Sequence, residues 1–155
     1  MILLIRARLI KVAAVADRLL VVVIVHKENK VADPTLKELR ALLLLDRQFW
    51  PDGSRVVLIR RPTTSAEEKT LLRELYSMTE DKLRKYWTGR LFRGEIPALP
   101  SIVRAGPAAV AAVSKDRQAI SVVLSTDVED GVRTLSIDGK RPEDKGYPLA
   151  VKEAK

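Results

Sequence analysis

The sequence predicts an α/β protein in which a mixed sheet is flanked by helices, and three observations support this class. The apolar run Leu19–Val25 is rich in β-branched residues and predicts a strand buried on both faces. Two capping-box segments, Thr35–Glu38 and Ser65–Glu68, each precede an apolar helical stripe. Strand-like runs alternate with helical patterns along the chain, which is typical of a layered α/β sheet.

The other elements follow in chain order. Predicted strands after the first are Arg55–Arg60, Ser101–Val103, Ala119–Leu124 and an edge strand, Val132–Ile137. Predicted helices begin at Thr35, Ser65, Thr79 and near Pro107, with buried stripes at Leu36, Leu39, Leu42 and Leu43, at Leu71, Leu72, Leu75 and Tyr76, and at Leu83, Trp87 and Leu91. The segment Asp138–Lys155 is expected to be polar and loop-like apart from Tyr147-Pro148-Leu149.

Length and composition indicate one domain without disulfides. The chain has 155 residues, no cysteine and a formal net charge of +8. Such a basic balance favours anionic partners: phosphate, nucleic acid or an anionic membrane surface. The basic residues are mostly scattered singly, which weakens the nucleic-acid interpretation. No run reaches the 18 or more apolar residues that a membrane span requires.

The N-terminal segment is expected to lie outside the domain. Residues 1–16 are predicted to be a degraded signal-like or extra N-terminal segment, because basic residues interrupt the apolar run before Ala14-Val15-Ala16, a small-x-small cleavage pattern. Residues 17–150 then form a single α/β domain, and residues 151–155 a polar tail. An additional helix or strand at residues 1–16 is the alternative.

Motifs for catalysis, metals and cofactors are missing from the sequence. His26 is the sole histidine, and no nucleophile or ligand motif surrounds it. Neither a Walker-type phosphate loop nor a GxGxxG fingerprint occurs. We therefore expect no enzyme activity, no cofactor and no metal, and a histidine that makes an ordinary hydrogen bond.

Nucleic-acid binding is the weaker of the two interpretations of the basic charge. Trp50, Tyr86 and Trp87 could stack on bases, and the helix begun at Thr79 carries basic residues on one side, namely Lys82, Lys85 and Arg93. Trp87, however, falls on the apolar stripe of that helix. We expect it in the core, with the lysines on the solvated face.

From Val21 to about Leu149 the chain resembles short substrate-binding proteins related to phosphate ABC transporter receptors, of the type 2 periplasmic binding protein class. The likeness lies in the order of four segments: VVVIVHKENKV, LKELRALLLLDRQFWPDGSRVVLIRRP, LLRELYSM and YWTGRLFRG. The resemblance implies a lobe like that of periplasmic binding proteins, without catalysis. It also implies an extracytoplasmic location, inorganic phosphate or a similar small anion as ligand, and an ABC transporter permease as partner.

The resemblance also implies a ligand loop after the second strand, where the family has an arginine followed by Ser-Gly-Thr at a helix start. Carried over by position, the predicted ligand residues are Arg61, Thr63, Thr64 and Ser65. Amides at a helix start attract anions, and an arginine can donate to two phosphate oxygens. Ala66 and Glu67 depart from the glycine and threonine of the pattern.

Glu67 argues against phosphate binding on this loop. A carboxylate roughly 5 Å from a phosphate costs about 3 kcal/mol per unit charge at an effective dielectric near 20. A helix terminus contributes only about 0.3–2 kcal/mol, so repulsion dominates unless Glu67 points into solvent or pairs with Lys69 or Arg61. We thus expect weakened anion binding. The alternatives are an accessory module with no small-anion ligand or a basic nucleic-acid-associated protein, cytoplasmic if residues 1–16 are not a signal.

Overall fold

A computed structural model describes residues 20–151 as a mixed five-stranded sheet with flanking helices, which confirms the predicted fold class. The strands are β1 Val21–His26, β2 Val57–Arg60, β3 Ser101–Ile102, β4 Ala119–Leu124 and β5 Val132–Thr134. The helices are α1 Leu36–Leu43, α2 Ala66–Thr70, α3 Glu80–Phe92 and α4 Gly106–Lys115. A π-helical turn, Leu71–Tyr76, continues α2, and a 3-10 turn, Ser125–Asp127, follows β4. The predicted N-terminal segment 1–16, and the tail beyond residue 151, lie outside the described residues.

The strand order is β3-β2-β4-β1-β5. Strand β2 runs parallel to both β3 and β4, whereas β1 is antiparallel to β4 and to β5. The carboxyl ends of β2, β3 and β4 therefore meet at one edge of the sheet, which we call the carboxyl edge. Because β1 runs the other way, it begins at this edge, with Val21 opposite Leu124.

The burial of strand β1 shows that the sheet is covered on both faces. All six of its residues are buried, although successive side chains point to opposite faces of a sheet. Helix α4 packs on β1 and β4. Full burial of one Val or Ile side chain contributes about 1.5–3 kcal/mol, so this apolar run is a main source of stability.

The three helix starts that were predicted from cap hydroxyls are confirmed. Each cap hydroxyl accepts a hydrogen bond from the amide three residues later: Thr35 from Glu38 at 3.1 Å, Ser65 from Glu68 at 3.1 Å and Thr79 from Lys82 at 3.2 Å. In neither capping box of residues 20–151 does the glutamate side chain accept a hydrogen bond from the amide of the cap residue. The Glu68 carboxylate pairs with Arg60, and the amide of Leu36, which follows the cap residue Thr35, donates to Asp138 at 2.9 Å.

The predicted stripe of α3 is wrong at its last position. Leu83 and Trp87 are buried, but Leu91 is 36% exposed and Arg90 is buried in its place. The guanidinium of Arg90 donates to the carbonyls of Leu44 and Leu45, the latter at 2.9 Å. These carbonyls follow the end of α1 and have no intrahelical donors, so hydrogen bonding rather than apolar character decides which residue faces inward.

The edge position of β5 is confirmed, but the strand is shorter than predicted. It ends at Thr134 because the chain turns back on itself beyond it, with the amide of Ile137 donating to the Lys140 carbonyl and Asp138 at a φ of 53°. Residues 138–151 contain no helix or strand element, as expected. Tyr147 nevertheless anchors them, because its hydroxyl donates to the Val21 carbonyl at 2.6 Å.

Among residues 20–151, the helices are all too short or too polar to cross a membrane.

Candidate functional site

The candidate site lies at the carboxyl edge, where ligands of open α/β sheets commonly bind. Three connections meet there: residues 61–65 after β2, residues 103–105 after β3, and the 3-10 turn after β4. Helices α2 and α4 both start at this edge. The predicted ligand residues all belong to the first connection.

Arg61 is bound on three sides by the protein itself. Its Nε donates to the Val103 carbonyl and its Nη2 to the Arg104 carbonyl, both at 2.9 Å. Its Nη1 donates to the carboxylate of Glu67. The residue is only 4% exposed. The guanidinium therefore ties the loop after β2 to the loop after β3, and its accessible charge is small.

Glu67 supplies the negative charge at this arginine. It is 4% exposed, so the ion pair with Arg61 is buried. Removing one partner of such a pair is strongly destabilising because the other charge remains uncompensated in the interior. Glu67 is the position at which the resemblance places a threonine. The carboxylate here thus occupies the kind of place beside an arginine that an anionic ligand would take.

A second Arg–Glu pair lies next to the first. Arg60 donates to Glu68 at 3.1 Å, and the guanidinium carbon of Arg60 lies 5.6 Å from the centre of the Trp87 ring. Burial raises the pKa of the Glu68 carboxyl above its usual range, and the charge of Arg60 opposes that rise. Arg60 at the end of β2 and Arg61 in the loop are therefore both paired with carboxylates from α2.

The hydroxyls of the predicted site also have partners within the protein. Ser65 donates to the Pro62 carbonyl at 2.7 Å while its oxygen caps α2. Thr63 donates to the Glu80 carboxylate at 2.7 Å. Thr64 is exposed. The structure thus brings the four predicted residues onto one loop, and their binding of an anion stays a prediction.

The start of α4 has a feature that sequence reasoning missed. The carboxylate of Asp127 lies so close to Gly106 that a Cβ on this residue would overlap it. The N-cap residue, Ala105, provides no side-chain hydrogen bond. An acidic group at a helix start is stabilising, so Asp127 provides the negative charge there. The lack of a polar cap before Gly106-Pro107 was the available sequence signal.

Of the aromatic residues considered for base stacking, Trp50 and Trp87 are buried and Tyr86 is half-buried. Trp50 is 4% exposed and its Nε1 donates to the Gln118 carbonyl at 2.9 Å. Trp87 is 3% exposed, which confirms its predicted place in the core, and Tyr86 packs against it edge to face at 5.5 Å. Buried ring faces cannot stack on nucleic-acid bases, so the basic charge alone remains in favour of that alternative.

His26 and the acidic residues form ordinary local contacts. The Nδ1 atom of His26 accepts a hydrogen bond from the Glu28 amide at 3.0 Å, as expected. Asp52 accepts two hydrogen bonds from Ser54, which lower the pKa of its carboxyl. Across residues 20–151 there is no group of three or more His, Cys, Asp or Glu side chains placed to hold a metal ion.

Comparison with known proteins identifies the fold of the chain but assigns it to no protein family. No protein-family model and no curated protein sequence matches the chain. Among the solved structures that match the chain, three have a probability of 1.00. A phosphate ABC transporter substrate-binding protein from Clostridium perfringens, solved with bound phosphate, has a TM-score of 0.69 at 17% identity, covering 86% of this chain and 53% of that one.

The other two matches are of the same kind. An ABC-type phosphate transport receptor from Vibrio cholerae has a TM-score of 0.65 at 12% identity, over 81% of this chain and 48% of the receptor. PstS from Borrelia burgdorferi has a TM-score of 0.67 at 14% identity, over 86% and 55%. The chain therefore spans about half the length of these proteins. Over that half, it has the α/β fold of substrate-binding proteins.

Proposed function

We propose that this chain is a non-catalytic domain of the substrate-binding-protein type in which Glu67 fills the anion position, so that it acts as an accessory or interaction module. The observation that carries the proposal is the buried ion pair between Arg61 and Glu67. The neighbour from Clostridium perfringens was solved with bound phosphate. Phosphate binding on the loop after β2 would require that Arg61 were not already neutralised by Glu67.

Two free-energy contributions disfavour phosphate binding at Arg61. Phosphate approaching Arg61 would meet the Glu67 carboxylate, and at roughly 5 Å that repulsion costs about 3 kcal/mol per unit charge. The start of α2 returns only about 0.3–2 kcal/mol. Arg61 would also have to exchange its bond to Glu67 for one to phosphate, leaving a buried carboxylate without a partner. Both effects disfavour the bound state.

The predicted ligand residues keep a definite place in this proposal. Arg61, Thr63, Thr64 and Ser65 form the loop on which phosphate would bind if the Glu67 carboxylate were removed. Weak phosphate binding by the unmodified protein is the competing form of the proposal. The two forms differ in what Glu67 does, and a substitution there separates them.

Calorimetric titration with phosphate and with sulfate tests the proposal. We expect no binding to the wild-type protein. In the double variant Ala66→Gly/Glu67→Thr, which restores Ser-Gly-Thr after Arg61, we expect phosphate binding that disappears when Arg61→Ala is added. Glu38→Thr is the matched control, because Glu38 is exposed and follows a cap in the same way. Phosphate binding by the wild type would contradict the closure.

With this function we propose an extracytoplasmic location and an ABC transporter permease as partner. Both proposals rest on the fold shared with transport receptors. Expression of the full chain, followed by cell fractionation and mass measurement of the N-terminus, tests the location. Recovery of the protein with residues 1–16 intact in the cytoplasm would contradict it.

A further inference from the structure

A groove beside α3 borders the Arg61 loop, because Thr63 and Thr64 of that loop line it while Arg61 and Glu67 do not. It has a volume of about 560 Å³, and it runs between α3 and the segment 99–104. We call it the α3 groove. Small-molecule sites in proteins commonly enclose roughly 300–1,000 Å³ and combine apolar walls with a few polar groups. The size of the α3 groove therefore suits an organic molecule.

The walls of the groove are apolar in part and exposed. Leu99 is 52% exposed and Ile102 is 55% exposed. Ile102 belongs to the edge strand β3, and Leu99 lies just before that strand. Leu83 and Trp87 of α3 line the groove and belong to the core. An apolar ligand could cover the two exposed side chains, and covering apolar surface is favourable.

Trp87 adds an unsatisfied donor to this wall. Its Nε1 is buried and, among residues 20–151, has no hydrogen-bond acceptor. Trp50, by comparison, donates its Nε1 to a carbonyl. Buried donors without acceptors are rare in folded proteins and call for an explanation. Trp87, which lines the groove, thus carries a buried donor that the described part of the protein leaves unsatisfied.

Among the residues that line the groove, cations outnumber carboxylates. Arg60, Arg84 and Arg104 line it, together with a single carboxylate, Glu80, which accepts the Thr63 hydroxyl. Arg60 pairs with Glu68 and Arg84 with Asp81. For Arg104, which is exposed, no carboxylate of residues 20–151 lies within ion-pairing distance. Arg104 is therefore a cation available to a ligand.

From this combination we propose that the α3 groove binds an organic anion with an apolar body, such as an aryl-substituted carboxylate. The carboxylate pairs with Arg104, and the apolar body covers Leu99 and Ile102. Inorganic phosphate does not fit this chemistry, because the apolar walls offer it no replacement for its hydration. A neutral apolar compound would leave the charge of Arg104 unused.

The test compares hydrocinnamate with its neutral amide, hydrocinnamamide, by calorimetry on the full chain. We expect the acid to bind about tenfold more tightly than the amide, since a charged pair is the stronger interaction. In Arg104→Gln the acid should weaken about tenfold and the amide should be unchanged. Arg73→Gln is the control, because Arg73 is also exposed but does not line the groove.

A second variant probes the apolar wall. Ile102→Thr keeps a β-branched side chain in the edge strand and should weaken acid and amide alike by about fourfold. In a Trp50→Phe background, where Trp87 is the remaining tryptophan, hydrocinnamate should change the indole fluorescence. Equal affinity of acid and amide, unchanged binding in Arg104→Gln, or no binding of either compound at millimolar concentration would overturn the proposal.

The test does not involve Glu67. Phosphate binding by the wild type that leaves hydrocinnamate bound would contradict the closed Arg61 cluster and leave the groove proposal standing, while failure of hydrocinnamate to bind would do the reverse. Displacement of hydrocinnamate by an equal concentration of inorganic phosphate would also overturn the groove proposal, since it would show an anion site without an apolar component.

Discussion

Arg61 and Arg104 lie at the same edge of the sheet and differ in what surrounds them. Arg61 is buried and paired with Glu67, while Arg104 is exposed and lines an apolar groove. The two are linked, because Arg61 donates to the Arg104 carbonyl at 2.9 Å. A buried guanidinium must be neutralised within the fold, whereas an exposed one can keep its charge for a ligand. Burial therefore separates a structural arginine from a binding one.

Substitution of the two arginines should give the largest difference. Arg61→Ala should lower the free energy of unfolding by about 3–5 kcal/mol, because Glu67 would remain buried without a partner. Arg104→Ala should change it by less than about 0.5 kcal/mol, as expected for an exposed side chain. Urea unfolding measures both.

A double variant sharpens this result. Arg61→Met combined with Glu67→Leu should be more stable than Arg61→Ala, because no buried charge is left over. Equal stabilities of Arg61→Ala and Arg104→Ala would show that the Arg61–Glu67 pair is not a closed unit.

The start of α4 gives the next largest effect. Gly106→Ala should destabilise the protein by about 1–3 kcal/mol, since the added Cβ overlaps the Asp127 carboxylate. Combining it with Asp127→Ala should recover part of the loss. Ala108→Gly, at an exposed position of α4, is the control and measures the background change in helix propensity. Gly139→Ala would not serve, because Gly139 has a φ of 74° that strains any other residue. Thermal unfolding of these variants provides the comparison.

The two tryptophans should respond differently to substitution by phenylalanine. Trp50→Phe removes the hydrogen bond from Nε1 to the Gln118 carbonyl, whereas Trp87→Phe removes a donor that has no acceptor among the described residues. We expect Trp50→Phe to cost about 1 kcal/mol more. Urea midpoints at matched slopes measure the difference, and the opposite order would show that Trp87 has a partner.

The pH dependence of stability should report on Glu68. Because burial raises the pKa of its carboxyl, the contribution of this group is fully present below the ordinary value of 4.5 and is lost as pH rises through the raised pKa. Glu68→Gln should remove that loss, seen as a flatter curve of unfolding free energy against pH. An unchanged curve in Glu68→Gln would contradict the assignment.

The predictable parts of the molecule are those that local patterns determine. The β-branched run of β1 and the cap hydroxyls of Thr35, Ser65 and Thr79 were confirmed, because strand burial and helix starts depend on nearby residues. The inward place of Arg90 was not predicted. It depends on carbonyls 45 and 46 residues away in the chain.

The same distinction applies to the site. Sequence order brought Arg61 and Ser65 onto one loop and raised a pairing of Glu67 with Arg61 as one alternative. It could not show that the pair is buried, or that the loop after β3 closes around it, because strands distant in sequence meet there. Asp127 at Gly106 and the exposed Arg104 depend on the same long-range arrangement.

Thermal unfolding of Glu67→Ala with and without phosphate tests the closure of the Arg61 cluster most directly. Removing the carboxylate should destabilise the protein, and phosphate should restore stability by filling its place, by about 2.7 kcal/mol at a hundredfold excess over the dissociation constant. Wild type should show no such shift. Equal stabilisation of wild type and Glu67→Ala by phosphate, or of neither, would contradict the assignment of Glu67 to the anion position.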